Sequence, residues 1–352
     1  MRRATLPLHW GRDGLPAQPR QLLLVQLSAM GDQVQTLPAV SDIAARWPGL
    51  AIDWAVDARF AEIPRMHPAV RRVFALPLKA LQRQPASASL WRELLSQLRR
   101  LRASRYDLVW DPHSVLKSSL VARLAHAPLR VGYRAEDCGG EPSAARAYHA
   151  HFARPPGVHG TEGRRAFAAA VLETDVHRYV EYRLAQALHV DPGASGEVLL
   201  AHGVSRVHRE WAQDNWIELA RRLHARGIGL RMTWGNERER QRAAAIAAAL
   251  PPGASRIDPP PQGLEALLRY IAGARVVVGL DTGFTHFAAA LRRPLLGVFS
   301  AATSAAVLLE EDPTITRTVG GDGHEPGVDE AWSALQELLD REAPLPGAGA
   351  GP

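Results

Sequence analysis

The chain lacks most of the features that would assign it to a class on sight. Among its 352 residues there is a single cysteine, Cys138. That excludes an internal disulfide framework and a thiolate zinc cluster, and a reducing compartment is the expected setting. No apolar run approaches the roughly 20 residues needed to cross a bilayer. The first twenty residues carry arginines and prolines without a continuous apolar stretch. They do not read as a secretory leader, and a disordered extension over residues 1–20 is expected. There is no G-x-G-x-x-G dinucleotide fingerprint, no P-loop, no G-x-S-x-G elbow and no H-E-x-x-H helix, which removes the commonest routes to NAD, ATP, serine-hydrolase and zinc-protease chemistry. Fourteen histidines are present, but none pairs with cysteine at ligand spacing, and no metal site or cofactor is expected.

What is present suits two α/β domains of ordinary size: 352 residues, 46% hydrophobic and 22% charged. The charge is unevenly divided. Residues 1–185 hold 26 Lys and Arg against 16 Asp and Glu, a net of +10, while the remainder holds 16 against 20, a net of −4. A basic first half suggests an anionic ligand or surface on that side, unless an arginine-rich composition alone accounts for it. Only two of the cations are lysines, Lys79 and Lys117.

Apolar runs alternate with helical periodicity. Strands are expected at 21–27, 50–56, 108–111 and 130–132, with helices at 34–45, 90–102 and 115–124. Residues 135–160, rich in Gly, Pro and Ala, read as a long loop, and 166–188 as a helix. Asp191–Gly196 (DPGASG) is a turn-rich linker. The pattern then restarts, with strands at 198–201, 230–233, 276–280 and 295–299 and helices at 214–226, 238–250, 263–271 and 285–291. The expected architecture is two Rossmann-like doubly wound domains facing a central cleft, over residues 21–190 and 197–342, with a disordered tail at 343–352.

Chemistry-bearing residues gather at the carboxyl ends of these strands, where open α/β sheets bind ligands. Val276–Leu280 delivers Asp281-Thr282-Gly283-Phe284-Thr285-His286. Thr282 and Gly283 would open a helix whose free N–H groups favour a phosphate, with His286 one turn further on. Equally, Asp281 and Thr282 could do no more than cap that helix. The first strand delivers Ser28-Ala29-Met30-Gly31-Asp32. Asp32 is placed either to accept a proton from a substrate hydroxyl or to cap the helix that follows. Asp111 to Lys117 closes another strand in the basic half. Trp234-Gly235-Asn236-Glu237-Arg238-Glu239 follows a strand in the second half, where the glutamates are candidates for a ribose or base contact or simply favour a helix's first turn.

Taken together, these segments resemble the heptosyltransferases of lipopolysaccharide inner-core synthesis, the family 9 glycosyltransferases with the B-type fold, and most closely the branch that adds the first core heptose. The resemblance spans roughly residues 20–335. Its anchors are Ser28–Asp32 with Thr36-Leu37-Pro38-Ala39, Ile52-Asp53-Trp54, Asp111 with Lys117-Ser118, Trp234-Gly235, and Asp281-Thr282-Gly283 with His286. It implies inverting transfer of L-glycero-D-manno-heptose from ADP-heptose to the Kdo region of lipid A, by a cytoplasmic protein held peripherally at the inner membrane. By position, Asp32 matches the family's base. Ser205, Arg209, Glu239, Asp281, Thr282, Gly283 and His286 match donor-binding positions, and Lys79, Arg83 and Lys117 fall on the acceptor side. The chain departs from the pattern where Arg209 and Gln26 replace lysines, Val204-Ser205 replaces a threonine pair, and Gly140 replaces an arginine.

The resemblance leaves rivals to exclude. They are a related transferase for the second core heptose or another donor, a sugar-nucleotide epimerase, and a silent nucleotide-sugar binder. A nucleic-acid role would explain the basic half but not the Asp-Thr-Gly motif, and aromatic–basic interleaving is absent, so no nucleic-acid partner is expected.

Overall fold

Leucine- and valine-rich runs of three to seven residues, each entered from or followed by a helix with one apolar face, can bury both faces only as parallel strands covered on either side. The computed structural model follows that rule in two units, Met1–Arg183 and Leu184–Pro352. It describes residues 19–154, 160–172, 180–184, 193–204, 207–303 and 314–341.

In the first unit the elements run β1 (Gln21–Val25), α1 (Met30–Arg46), β2 (Ala51–Asp57), α2 (Glu62–Arg65), β3 (Val70–Leu76), α3 (Leu78–Arg83), α4 (Ala88–Ala103), β4 (Leu108–Trp110), α5 (Leu116–Leu124), β5 (Leu129–Tyr133), β6 (Ala150–Phe152) and α6 (Gly160–Leu172). The strands form one sheet in the order β3-β2-β1-β4-β5-β6, parallel throughout. Leu22 to Val25 and Leu108 to Trp110 are fully buried. Leu94 and Leu101 of α4 and Val121 and Ala122 of α5 close the same core with Phe74 and Leu76.

The second unit runs β7 (Val198–Ala201), α7 (Gln213–Ala225), β8 (Leu230–Met232), α8 (Glu237–Ala248), β9 (Ser255–Ile257), α9 (Gly263–Ala272), β10 (Val276–Gly279), α10 (Gly283–Ala290), β11 (Leu295–Phe299), β12 (Thr316–Gly320) and α11 (Val328–Leu339). Its sheet order is β12-β11-β10-β7-β8-β9, the same topology as the first. In each sheet the connections diverge from one adjacent pair, β1 and β4 or β7 and β10. A crevice opens beyond the carboxyl ends of such a pair, at the topological switch point.

Most expected elements appear with shifted ends, and some expectations are corrected. The stretch expected as loop, 135–160, carries two 3-10 turns, Ala135–Asp137 and Pro142–Ala147, and the strand β6. Three residues are too few to show alternation, so the sequence conceals this strand; pairing with β5 creates it. Packing there is close enough that a Cβ on Gly132 would lie 2.1 Å from the Tyr148 ring. The helix expected over 166–188 starts six residues earlier, at Gly160, where α6 packs on α1. Residues 180–184 are irregular. The termini expected to be disordered lie outside the described residues, except for Pro19 and Arg20.

β3 was also concealed, because Arg71 and Arg72 interrupt its apolar run. The reason for them is Asp53, fully buried on the neighbouring β2. Arg71 Nη2 and Arg72 Nη2 donate to Asp53 Oδ2 at 3.0 and 2.6 Å, and the Tyr106 hydroxyl donates to the same oxygen at 3.0 Å. Burial opposes ionisation of Asp53, but these donors outweigh it and hold its pKa below the usual carboxylate value. A depressed carboxylate contributes stability above its unfolded pKa and loses it as pH falls through the folded value. Asp53→Ala is expected to destabilise the first unit by about 3 kcal/mol, read as a drop in unfolding midpoint near neutral pH. The gap to wild type should narrow on acidification toward pH 3; a gap that does not change with pH would contradict the ion-pair account.

Candidate active site

The first switch point is built from the loops after β1 and β4. Asp111 follows β4 and is fully buried. Its Oδ1 accepts the Ser114 and His113 amides at 2.9 and 3.1 Å, and its Oδ2 accepts the Tyr148 hydroxyl at 2.7 Å. Ser114, held at a left-handed φ of 47°, passes the turn on to β5 by accepting the Tyr133 amide at 2.8 Å. This tight turn sends His113 and Lys117 toward the β1 loop. His113 Nδ1 accepts the Leu27 amide at 3.4 Å, and Lys117 Nζ donates to Ser28 Oγ at 3.0 Å. Burial pushes the His113 pKa down to about 4, with the Asp32 charge raising it and Lys117 and Arg164 lowering it. At neutral pH the ring is uncharged, and the accepting role of Nδ1 leaves the proton on Nε2.

Asp32 sits in the first turn of α1, with its side chain 38% exposed. Of the two roles weighed from sequence, the geometry shows the cap. Oδ2 accepts the Ala29 amide at 2.7 Å, which caps the helix, while Oδ1 accepts Nη2 of Arg164 at 2.5 Å. Arg164 comes from α6, is 13% exposed, and also donates to Gln35 Oε1 and the Gly160 carbonyl. The next residue, Arg165, pairs with Asp42 of α1 through a buried contact of 2.7 Å. Sequence reasoning missed Arg164 because the helix was begun at 166. The run Gly160-Thr161-Glu162, a glycine at a helix entry followed by an acidic first turn, is the signal that would have found it.

Lys79 and Arg83 lie on α3, directly after β3, so the parallel sheet carries them to the same carboxyl edge as Asp32. The Lys79 amide donates to Asp57 Oδ2 at the end of β2, at 3.0 Å. No contact joins either side chain to Asp32 among the described residues.

The second switch point gathers most of the residues expected on the donor side. After β7 a 3-10 turn, Val207–Arg209, brings Arg209 Nη1 against Asp281 Oδ2, directly beyond β10. Asp281 Oδ1 lies 3.9 Å from Nε2 of the buried His286. Burial opposes ionisation of Asp281, but His286 and Arg209 outweigh it and lower its pKa. The pure capping role is not what the geometry shows. Asp281 is turned to Arg209, and Thr282, although it is the N-cap of α10, makes no side-chain cap bond. The Thr282 hydroxyl is buried without a partner among the described residues. α10 therefore opens on Gly283 with amides that no side chain caps, beside a cation and an unsatisfied hydroxyl.

Glu239 is in the first turn of α8, and its carboxylate accepts the Gly235 amide at 2.7 Å and the Asn236 side-chain amide at 2.8 Å. It closes over the end of β7 so tightly that a Cβ on Gly203 would fall 2.6 Å from its carboxyl carbon. The turn that carries Arg209 is anchored by Glu210. Both Arg242 and Arg238 pair with it, at 2.5 and 2.9 Å, and Arg242 also donates to the His202 carbonyl at 3.0 Å. This anchor was not foreseen, since nothing in the spacing marks it. Ser205 lies outside the described residues. Among the described residues no cluster of three or more His, Cys, Asp or Glu is arranged to hold a metal ion.

Comparison with known proteins places the chain in a family. The sequence profile of glycosyltransferase family 9 (heptosyltransferase) matches residues 94–308. Lipopolysaccharide heptosyltransferase 1 of Pseudomonas aeruginosa is 37% identical over 285 residues, covering 79% of this chain and 78% of that protein. The protein of the same name from Escherichia coli K12 is 33% identical over 284 residues, covering 79% and 87%. Among solved structures, E. coli heptosyltransferase WaaC with ADP superposes with a TM-score of 0.80 at 28% identity, covering 91% of this chain and 99% of that one.

Asp111 is a titrating group inside the first unit. Complete burial pushes its carboxyl up to about 7, against the pull of its hydrogen bonds with Ser114, Tyr148, Ser118 and His113. As pH rises from 4 to 7 the unfolded chain ionises first, so the native state loses stability over that window. Asp111→Asn removes the titration. Thermal unfolding should show the variant gaining on wild type between pH 5 and pH 8, and a constant difference between them would refute the assignment.

Proposed function

The chain belongs to glycosyltransferase family 9, the heptosyltransferases, and we propose that it moves L-glycero-D-manno-heptose from ADP-heptose to the Kdo region of lipid A, with inversion. The observation that carries this reading is the second switch point. There Arg209, the first turn of α10 and the Thr282 hydroxyl, which has no partner among the described residues, converge, a set suited to a diphosphate. The relative solved with ADP, at a TM-score of 0.80, supports the same nucleotide.

In this mechanism Asp32 accepts the proton of the acceptor hydroxyl while that oxygen bonds to the anomeric carbon. The bond from that carbon to the diphosphate oxygen breaks, and ADP leaves with the electron pair. Arg209, His286 and the Thr282–Gly283 segment stabilise the charge that develops on the leaving group, and no metal ion is assigned to the step. Asp281 holds Arg209 and His286 in place before the donor arrives. Glu239, at the end of β7, is assigned to the nucleoside. Lys79, Arg83 and Lys117, with the net charge of +10 on residues 1–185, are assigned to the carboxylates and phosphates of the acceptor. A lipid-anchored acceptor also implies work at the cytoplasmic face of the inner membrane. No helix among the described residues is long and apolar enough to cross one.

The test is ADP release from ADP-heptose with and without Kdo-lipid A. Wild type should release ADP only with acceptor, and Asp32→Asn should slow release by about 10²–10⁴ while still binding donor. Arg209→Ala should impair donor use, seen in the KM for ADP-heptose or in kcat. Wild-type rates in a folded Asp32→Asn would remove it as base. Release on an already heptosylated acceptor alone would move the protein to the second core heptose. Release abolished by a chelator and restored by Mg²⁺ would overturn the metal-free step.

A further inference from the structure

Six large apolar side chains are conspicuously exposed among the described residues, and four of them lie on two neighbouring helices of the first unit. Trp91 and Leu95 of α4 are 47% and 46% exposed, and Leu116 and Leu120 of α5 are 47% and 55% exposed. Each pair is four residues apart, so each lines one helix face. α4 and α5 touch and bury their opposite faces in one core against the same side of the sheet, which sets their solvent faces side by side. Both exposed stripes continue into positive charge, at Arg99 and Arg102 on α4 and at Arg123 on α5, all exposed. The two helices together hold six cationic residues against one acidic residue, Glu93. Among the described residues, none of these three arginines is in an ion pair. Trp91 is not a loose surface ring, because its Nε1 donates to the Pro85 carbonyl at 2.8 Å.

We propose that this α4–α5 face is the surface by which the protein docks on an anionic phospholipid bilayer. Trp91, Leu95, Leu116 and Leu120 enter the boundary between headgroups and acyl chains, and the arginines lie on headgroup phosphates. An interfacial helix needs this pattern, an apolar stripe with an indole and a rim of unpaired cations. A protein partner of ordinary chemistry would bring carboxylates to particular cations, whereas here the charge is spread along both helices around a narrow apolar strip. The face also leads into the site, because Lys117 is flanked by the two exposed leucines and its Nζ lies on Ser28 Oγ. A lipid-anchored acceptor would reach Asp32 from this side. In that respect the inference rests on the proposed function, but the docking surface itself is testable without any acceptor.

The experiment is co-sedimentation of the full chain with large vesicles of phosphatidylethanolamine and phosphatidylglycerol, or of phosphatidylcholine alone, with no lipid A in either. Wild type should bind the anionic vesicles, weaken with added salt, and bind the neutral vesicles poorly. Trp91→Ser with Leu120→Ser, and separately Arg99→Glu with Arg102→Glu, should each lower anionic-vesicle affinity by about tenfold or more. Their melting profiles, and ADP release with a deacylated, water-soluble Kdo acceptor, should stay at wild-type levels. The proposal is overturned if wild type ignores anionic vesicles, if the variants bind like wild type, or if sedimentation velocity shows a dimer that the Trp91/Leu120 variant cannot form. Vesicle binding without ADP release on any Kdo acceptor would remove the acceptor assignment and leave the docking surface standing.

Discussion

Everything at the candidate sites depends on one topological constraint, the divergence of crossovers from an adjacent pair of parallel strands. Where connections leave in opposite directions, no helix can cover the carboxyl ends, and the loops there must satisfy one another or a ligand. The chain meets this condition twice, with identical strand order. After β1 and β4 the loops are joined by Lys117 to Ser28 and by Leu27 to His113. After β7 and β10 they are joined by Arg209 to Asp281. In both places a cation that follows one strand meets an oxygen that follows the other, so the two strand ends are joined by polar contacts that a substrate could replace.

The sheet interiors were legible because their strands are nearly all apolar. Leu22 to Val25 and Val276 to Val278 are buried on both faces, and such runs have few alternatives. The site residues at their ends were legible for the same reason, since a buried parallel strand shows where its loop must emerge. The rest depended on partners remote in sequence. β3 carries two arginines because Asp53 waits on β2, and β6 exists because β5 offers an edge. Glu210 was invisible for a related reason, since it acts through ion pairs whose spacing follows no local period.

The two sites treat charge differently. Around Asp281 burial disfavours the charge, but His286 and Arg209 outweigh it and keep the carboxylate ionised. Around Asp111 burial wins, and the carboxyl behaves as a structural hydrogen-bonding group. These two aspartates, each at the end of a central strand, are thus assigned different work by their neighbours alone. Asp32 differs from both in exposure, with 38% of its side chain open to solvent, which suits the proton-accepting role proposed for it.

The hold that α6 keeps on α1 has a temporal side. Arg164 reaches Asp32 across 132 residues of chain, and Arg165 reaches Asp42 across 123. During synthesis β1 and α1 leave the ribosome first, yet the segment that orients the carboxylate emerges only after six strands have been made. At the translation rate of about 5–20 residues per second, Asp32 waits several seconds or more for Arg164. The ion pair that holds Asp32, the proposed base, is therefore made late relative to the aspartate itself.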